Sequence, residues 1–209
     1  GFNLVNRDLK AALLKKIAAA KIDWRADNVK DALLDKNGWA LKLSNGRKET
    51  VQLLIGADGR NSLVRQSAGI EIKEKEEDQA ALVAQLDCAQ NHHYTSVEWY
   101  RGGGPLTLVP CAGKKLALVW CDKTDIIDEA LKTSDKKLSQ TITDMTESRF
   151  GALTIIGTPQ KWPVRPMKSE TLVAPHLALV GEAAHVLPPI GAQGFNTSLY
   201  DIQSLLTQL

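Results

Sequence analysis

The residues best suited to chemistry lie in one stretch, GEAAHVLPPIGAQGFN, residues 181–196. It packs three glycines, two prolines and one acid into sixteen residues, with no pattern that marks a catalytic nucleophile. Glycine lets a backbone come within contact of a ligand, and a carboxylate accepts hydrogen bonds from hydroxyls such as those of a sugar chain. The stretch leads from an apolar segment, LALV (177–180), into a helix predicted over 192–209. A helix start presents unpaired backbone N–H groups and partial positive charge, which suits a neutral ring that gains negative charge on reduction. A second stretch shares this grammar: LLIGADG (53–59), like LALVGEA (177–183), is an apolar strand ending in glycine with an acid beside it. In α/β sheets, ligands collect outside the carboxyl ends of strands. Each stretch alone reads first as a sharp turn with a solvated acid; the pair together reverses this and points to a ligand site.

The elements that must position these stretches follow from pattern. Asn6 or Asp8 can cap a helix over roughly 8–20, with Leu9, Leu13, Leu14 and Ile17 forming an apolar stripe. VKDALLD (29–35) and WALKLS (39–44) are strands joined by a turn at Lys36-Asn37-Gly38, and a second turn falls at Asn45-Gly46. The LLI of 53–55 reads as a buried strand, and RNSLVRQSAG as a short helix closed by Gly69. From about residue 78, ALVAQLDCA, TSVEWYRG, LTLVPCA and KLALVWCDK alternate between turns, which predicts an antiparallel sheet. Residues 125–150 read as helix, WPVRPMK as extended and LALVGEA as a buried strand. The fold class expected is mixed α/β (α+β): an interrupted, incomplete Rossmann-like domain with an inserted antiparallel-sheet domain. Its parts are 1–76, 77–165 and 166–209.

Composition excludes several classes. With 26 basic against 24 acidic residues in 209, the net charge of +2 gives no electrostatic case for nucleic acid. The mixed-charge run EIKEKEEDQ (71–79) is a solvated face or linker. Cys88, Cys111 and Cys121 are too few and too scattered for a disulfide framework or zinc knuckle, and read as small buried apolar residues. No apolar run approaches the ~18 residues of a membrane span, so the expectation is a cytoplasmic protein. His92-His93 is a surface loop rather than a metal site, because neighbouring side chains point to opposite sides. His185 reads as a packing or hydrogen-bonding residue. Trp99, Tyr100 and Trp120 fit either an aromatic substrate pocket or a core. The chain begins without Met and stops within a helical pattern, which reads as a piece of a longer protein.

GADGRNSLVR (56–65) and GEAAHVLPPIGAQGFNTSLYD (181–201) resemble the second and third signature motifs of flavin-dependent aromatic hydroxylases. This is the para-hydroxybenzoate hydroxylase-like group, and the resemblance is strongest to its ubiquinone-biosynthesis branch. GPLTLVPCAGKKLALVW (104–120) resembles that branch's substrate-domain strands, and NRDLKAALL (6–14) its helix before the second motif. The resemblance implies FAD as cofactor, NAD(P)H as co-substrate and hydroxylation of an aromatic, quinone-like substrate by O2. It places Asp58 and Gly59 near the FAD pyrophosphate. Gly181 and Glu182 fall at the ribityl chain, where most members carry aspartate rather than glutamate. Pro188, Gly191, Gln193, Gly194, Phe195 and Asn196 border the isoalloxazine ring, and Arg7 lies near the flavin. Catalytic residues are not assigned, no metal is implied, and a lipid-like substrate would bring peripheral contact with a membrane or partner enzymes.

One family feature is absent. The only glycines two apart are Gly102 and Gly104, and the position three further on is Thr107, so no G-x-G-x-x-G exists to hold the ADP pyrophosphate. The chain alone is therefore expected to hold FAD weakly or not at all. Two functions stay open: part of an FAD-dependent hydroxylase, or a non-catalytic substrate-binding or assembly module. A related epoxidase or halogenase shares these motifs.

Overall fold

In the computed structural model, which describes residues 3–75 and 78–209 with the Arg101 side chain excepted, the chain divides into two units. One comprises residues 3–15 and 78–164, the other residues 16–75 and 165–209. The boundary expected at 76/77 falls on two residues outside the described set, as does the middle of the run 71–79. Helix α1 (Asn6–Ala19) opens the chain two residues earlier than its spacing predicts. None of its residues is buried, and Leu13 and Leu14 are 52% and 43% exposed. The predicted stripe is present as a helix face but not as core, because helical spacing aligns apolar side chains whether or not a surface covers them.

Strands β1 (Val29–Asp35), β2 (Gly38–Leu43) and β3 (Lys48–Val51) form an antiparallel meander. Gly38 is the first residue of β2 rather than the end of the turn; it pairs with Asp35 at φ +121°. A Cβ there would stand 2.3 Å from the Val51 carbonyl oxygen, so only glycine fits. Trp39 is almost wholly buried and donates its indole N–H to the Pro175 carbonyl at 3.1 Å. Next come β4 (Leu54–Gly56), helix α2 (Leu63–Ser67) and β5 (Ile72–Glu74). Contrary to the expected buried strand, Leu53 and Ile55 are about two-fifths exposed. Leu54 and Gly56 are covered while Leu53 and Ile55 are not, so the run is covered on one face only.

The other unit is an antiparallel sheet. β6 (Gln79–Cys88), β7 (Val97–Arg101), β8 (Gly104–Pro110), β9 (Lys115–Lys123) and β10 (Leu153–Pro163) lie in the order β10-β6-β9-β8-β7. Alternate residues Leu82, Leu86, Leu106, Leu108, Leu116 and Leu118 share one core with Ile127, Leu138 and Ile142. Each such side chain contributes about 1.5–3 kcal/mol by leaving water. The expected helix over 125–150 is two, α3 (Thr124–Lys132) and α4 (Asp135–Met145). Thr133 is extended, and Ser134 caps α4 by accepting from the Lys137 N–H. β10 is not evident in the sequence because Gly157 and Pro159 read as breakers; the strand absorbs them in a register slip between Ile156 and Gln160. Its outer edge is covered where Ser139 and Thr143 accept from the Ile155 and Leu153 N–H groups, each at 3.0 Å. Trp120 is buried in the core and Trp99 packs against it, whereas Tyr100 is 68% exposed.

The chain then returns through β11 (Met167–Ser169), β12 (Val173–Ala174), β13 (Leu177–Leu179), a 3-10 turn (Gly181–Ala183), β14 (His185–Val186) and helix α5 (Gln193–Gln208). Strand β13 is buried at all three residues, as its apolar run predicts. Among the described residues, no helix is long and apolar enough to cross a membrane.

Candidate functional site

The site grows from one parallel pairing. β13 lies beside β4 in the register Leu177↔Leu54, Ala178↔Ile55 and Leu179↔Gly56. The Val180 N–H donates to the Gly56 carbonyl at 2.9 Å. Two strands whose paired residues are 123 positions apart thus end together, and the turns beyond them, GADG and GEA, leave from the same sheet end. Gly56 permits this closeness. A Cβ on it would meet Leu179 Cδ2 at 2.7 Å and Val64 Cγ1 at 2.9 Å.

After β4, the exposed Asp58 folds its carboxylate back onto the start of α2. It accepts from the Ser62 hydroxyl and, at 3.1 Å, from the Val64 N–H. Ser62 is fully buried and in turn accepts from the Arg65 N–H at 2.9 Å. Gly59 takes φ +81° with nothing within 4 Å of a would-be Cβ, so the loop is open above it. Arg65 is only 4% exposed, and its guanidinium donates to the Ala183 carbonyl at 2.9 Å and to the Arg60 carbonyl at 2.8 Å. The segment 56–65 is thereby tied directly to the segment 181–201.

After β13, Gly181 enters its turn at φ +61°. Its N–H donates to the Asp201 carboxylate on α5 at 2.9 Å, and the same oxygen lies 2.8 Å from His185 Nε2. His185 is thus a hydrogen-bonding residue, as its position in the stretch suggests. The Ala183 carbonyl also accepts from Ser169 at 3.2 Å. Between these tethers Glu182 is exposed, and among the described residues its carboxylate has no hydrogen-bond or ion-pair partner. Residues 188–196 are mostly exposed, with Gly191 at φ +58° and open space around Gly194. α5 begins after Ala192, which is left-handed at φ 52° and ψ 32°, and no side chain caps the helix. Its first-turn N–H groups point out of the helix start, and the Asn196 side chain donates back to the Ala192 carbonyl at 3.1 Å.

The structure brings together Asp58, Gly59, Gly181, Glu182 and the loop from Pro188 to Asn196 within one unit. Arg7 belongs to the other unit, where it is exposed and paired with Asp8 at 3.1 Å. Two residues that spacing does not single out, Arg65 and Asp201, hold the turns in place; their only signal is that each closes one of the two motif stretches. His92 departs from its reading as a surface loop residue. It is 3% exposed, with Nε2 2.8 Å from the Gly113 carbonyl and Nδ1 accepting from the Tyr94 N–H. The loop is at the surface, but its first histidine is the side chain that anchors it. Among the described residues, no group of three or more His, Cys, Asp or Glu could hold a metal ion. Cys88 and Cys121 are buried and Cys111 is half-buried. Burial, with Glu98 and Asp122 nearby, pushes the Cys121 thiol up to about 11.

The donor set fits the ring and ribityl side of a flavin. An unpartnered carboxylate faces outward to accept from hydroxyls, glycines leave open space, and an uncapped helix start supplies N–H groups. The family described as FAD binding domain matches residues 5–209. The chain belongs to this family. FAD is accordingly its cofactor. The chain is 28% identical to the ubiquinone hydroxylase UbiL of Rhodospirillum rubrum, over all of this chain and 49% of that protein. It is 30% identical to the 3-demethoxyubiquinol 3-hydroxylase of Escherichia coli, over 81% of this chain and 43% of that protein. The chain thus spans about half the length of the curated relatives it matches. In fold it is similar to PqsL of Pseudomonas aeruginosa, with a TM-score of 0.80 and 20% identity over 94% of this chain and 57% of that one. The flavin-dependent brominase Bmp2 gives 0.78 and 16% identity, over 98% and 55%. The mixed α/β fold with an inserted antiparallel sheet agrees with the architecture expected from sequence.

Proposed function

We propose that the whole protein is an FAD-dependent monooxygenase that uses NAD(P)H and O2 to hydroxylate an aromatic ring of a ubiquinone precursor. This chain supplies the isoalloxazine- and ribityl-facing side of its flavin site. The observation that carries the reading is the parallel β4–β13 pair, which delivers two glycine turns and a free carboxylate to one sheet end. The ubiquinone and demethoxyubiquinol hydroxylases among the relatives support the substrate class. FAD, when bound, supplies the redox and oxygen-transfer chemistry. The chain's own residues bind and orient. Glu182 accepts from ribityl hydroxyls, and the backbone at Asp58-Gly59 lies toward the pyrophosphate. Pro188, Gly191, Gln193, Gly194, Phe195 and Asn196 border the ring, while the N–H groups at the start of α5 hold negative charge at its pyrimidine edge. The antiparallel unit serves as the substrate domain. We place the protein in the cytoplasm, with peripheral membrane contact where a lipid-like quinone enters.

A second reading, a non-catalytic module unable to hold FAD alone, is favoured by one observation. The only G-x-G of the sequence is the turn between β7 and β8, where a Cβ on Gly103 would collide with the Asp122 carboxylate. Titration of the 209-residue chain with riboflavin and with FAD, followed by flavin fluorescence, tests the two. The first reading expects saturable binding near 100 μM, about −5.5 kcal/mol, with FAD within about threefold of riboflavin. Glu182→Ala should weaken both about tenfold, through loss of a charge-assisted hydrogen bond. No saturable binding up to about 1 mM would favour the module.

A further inference from the structure

We infer that Asp201 is a positioning residue for the Glu182 turn, setting ligand affinity without touching the ligand. The inference rests on the flavin reading of residues 181–196. Asp201 lies more than two turns into α5, a helix with no buried residue, yet its own side chain is only 13% exposed. One of its oxygens takes both the Gly181 N–H at 2.9 Å and His185 Nε2 at 2.8 Å. A carboxylate only accepts, so Nε2 carries the proton in this pair. A single carboxylate therefore holds both ends of the five-residue segment 181–185.

Helix α5 lies in contact with the start of that segment. A Cβ on Gly181 would come within 3.4 Å of the Ser198 hydroxyl, one turn before Asp201 on the same helix. From the other side Arg65 and Ser169 hold the Ala183 carbonyl. Glu182 itself has no partner among the described residues, so nothing fixes its carboxylate except the backbone that carries it. A glutamate carries its carboxylate on a chain of rotatable bonds, so its aim depends on how firmly its turn is held. Asp201 holds that turn from a helix that also begins at the ring-facing loop.

The test compares Asp201→Asn, His185→Gln and His185→Ala in the 209-residue chain. Four measurements are made: thermal melting, amide exchange at Gly181, the ring nitrogen shifts of His185, and riboflavin titration. Asn keeps the shape but loses the charge; Gln keeps a donor directed at Asp201. The expected result for Asp201→Asn is near-native melting, Gly181 exchange about tenfold faster, and riboflavin affinity lowered about tenfold. His185→Gln should keep most of the affinity that His185→Ala loses. Unchanged affinity in Asp201→Asn despite faster Gly181 exchange overturns the inference. So does a loss that matches the unfolded fraction, because that is structural damage alone. If the native chain binds no riboflavin, the flavin reading fails separately. The clamp then stands on faster Gly181 exchange in Asp201→Asn and falls on unchanged exchange. If Asp201→Asn does not fold, equal affinities for the two His185 variants overturn the inference, and the Gln rescue upholds it.

Discussion

Replacing Gly56 by alanine should destabilise the unit that holds the site, for a purely steric reason. Gly56 is buried and its φ is not in the left-handed region, so alanine meets no backbone strain there. The new Cβ, however, would stand 2.7 Å from Leu179 Cδ2, 2.9 Å from Val64 Cγ1 and 3.2 Å from Val64 Cβ, inside the 3.4 Å at which ordinary contact begins. Neither neighbour can swing away. Leu179 is 3% exposed in the core, and Val64 is β-branched and seated in α2. Overpacking of this kind costs about 1–3 kcal/mol. Removing glycine also stiffens the unfolded chain, which offsets about 0.4–1 kcal/mol. The net loss of about 1–2 kcal/mol should lower the melting temperature by roughly 2–8 °C for a chain of this size. The assay is thermal and denaturant unfolding of Gly56→Ala, Leu179→Ala and the double variant. Because Leu179→Ala opens the space the new methyl needs, the double variant should be more stable than the two single losses combined, by about 1 kcal/mol. Native stability in Gly56→Ala, or strict additivity in the double variant, would refute the claim that close β4–β13–α2 packing demands glycine.

Three further outcomes are expected, one at the Arg65 tether and two at the cysteines. Arg65→Met removes donors to the Ala183 and Arg60 carbonyls, of which only Ala183 keeps a second donor. A loss of about 1–3 kcal/mol in urea unfolding is expected, with Arg65→Lys no better because an ammonium cannot reproduce the planar fork; native stability in Arg65→Met would show the tether is dispensable. The Cys121 thiol, pushed up to about 11 from an ordinary 9.0, favours the protonated form in the fold. Its stabilising contribution is full below pH 9.0 and is lost as pH rises through about 11, so Cys121→Ser should flatten the alkaline limb of the stability curve. Thiol labelling at pH 8 should find half-buried Cys111 first and buried Cys121 last; the reverse order would contradict the burial.

Much of the local structure was legible in the sequence alone. The alternation of β6 to β9 and the glycine ends of LLIG and LALVG are local patterns set by side-chain spacing, and the structure contains them as predicted. So are the Asn45-Gly46 turn and the start of α5 near Ala192. The exposed loop around Glu182 was legible as a turn because glycines and prolines at a strand end break regular structure. What only the tertiary structure decided is pairing and burial. β4 and β13 are parallel neighbours across more than a hundred residues, a fact that neither strand encodes alone. β10 exists because β6 offers it an edge, overriding Gly157 and Pro159. The stripe on α1 is a local property, and its exposure is not. Asp58 accepts from the Val64 N–H at the start of α2, and Asp201 from Gly181 and His185. A carboxylate looks the same in sequence whether it will face solvent, a ligand or a backbone N–H, and only the fold chooses its partner.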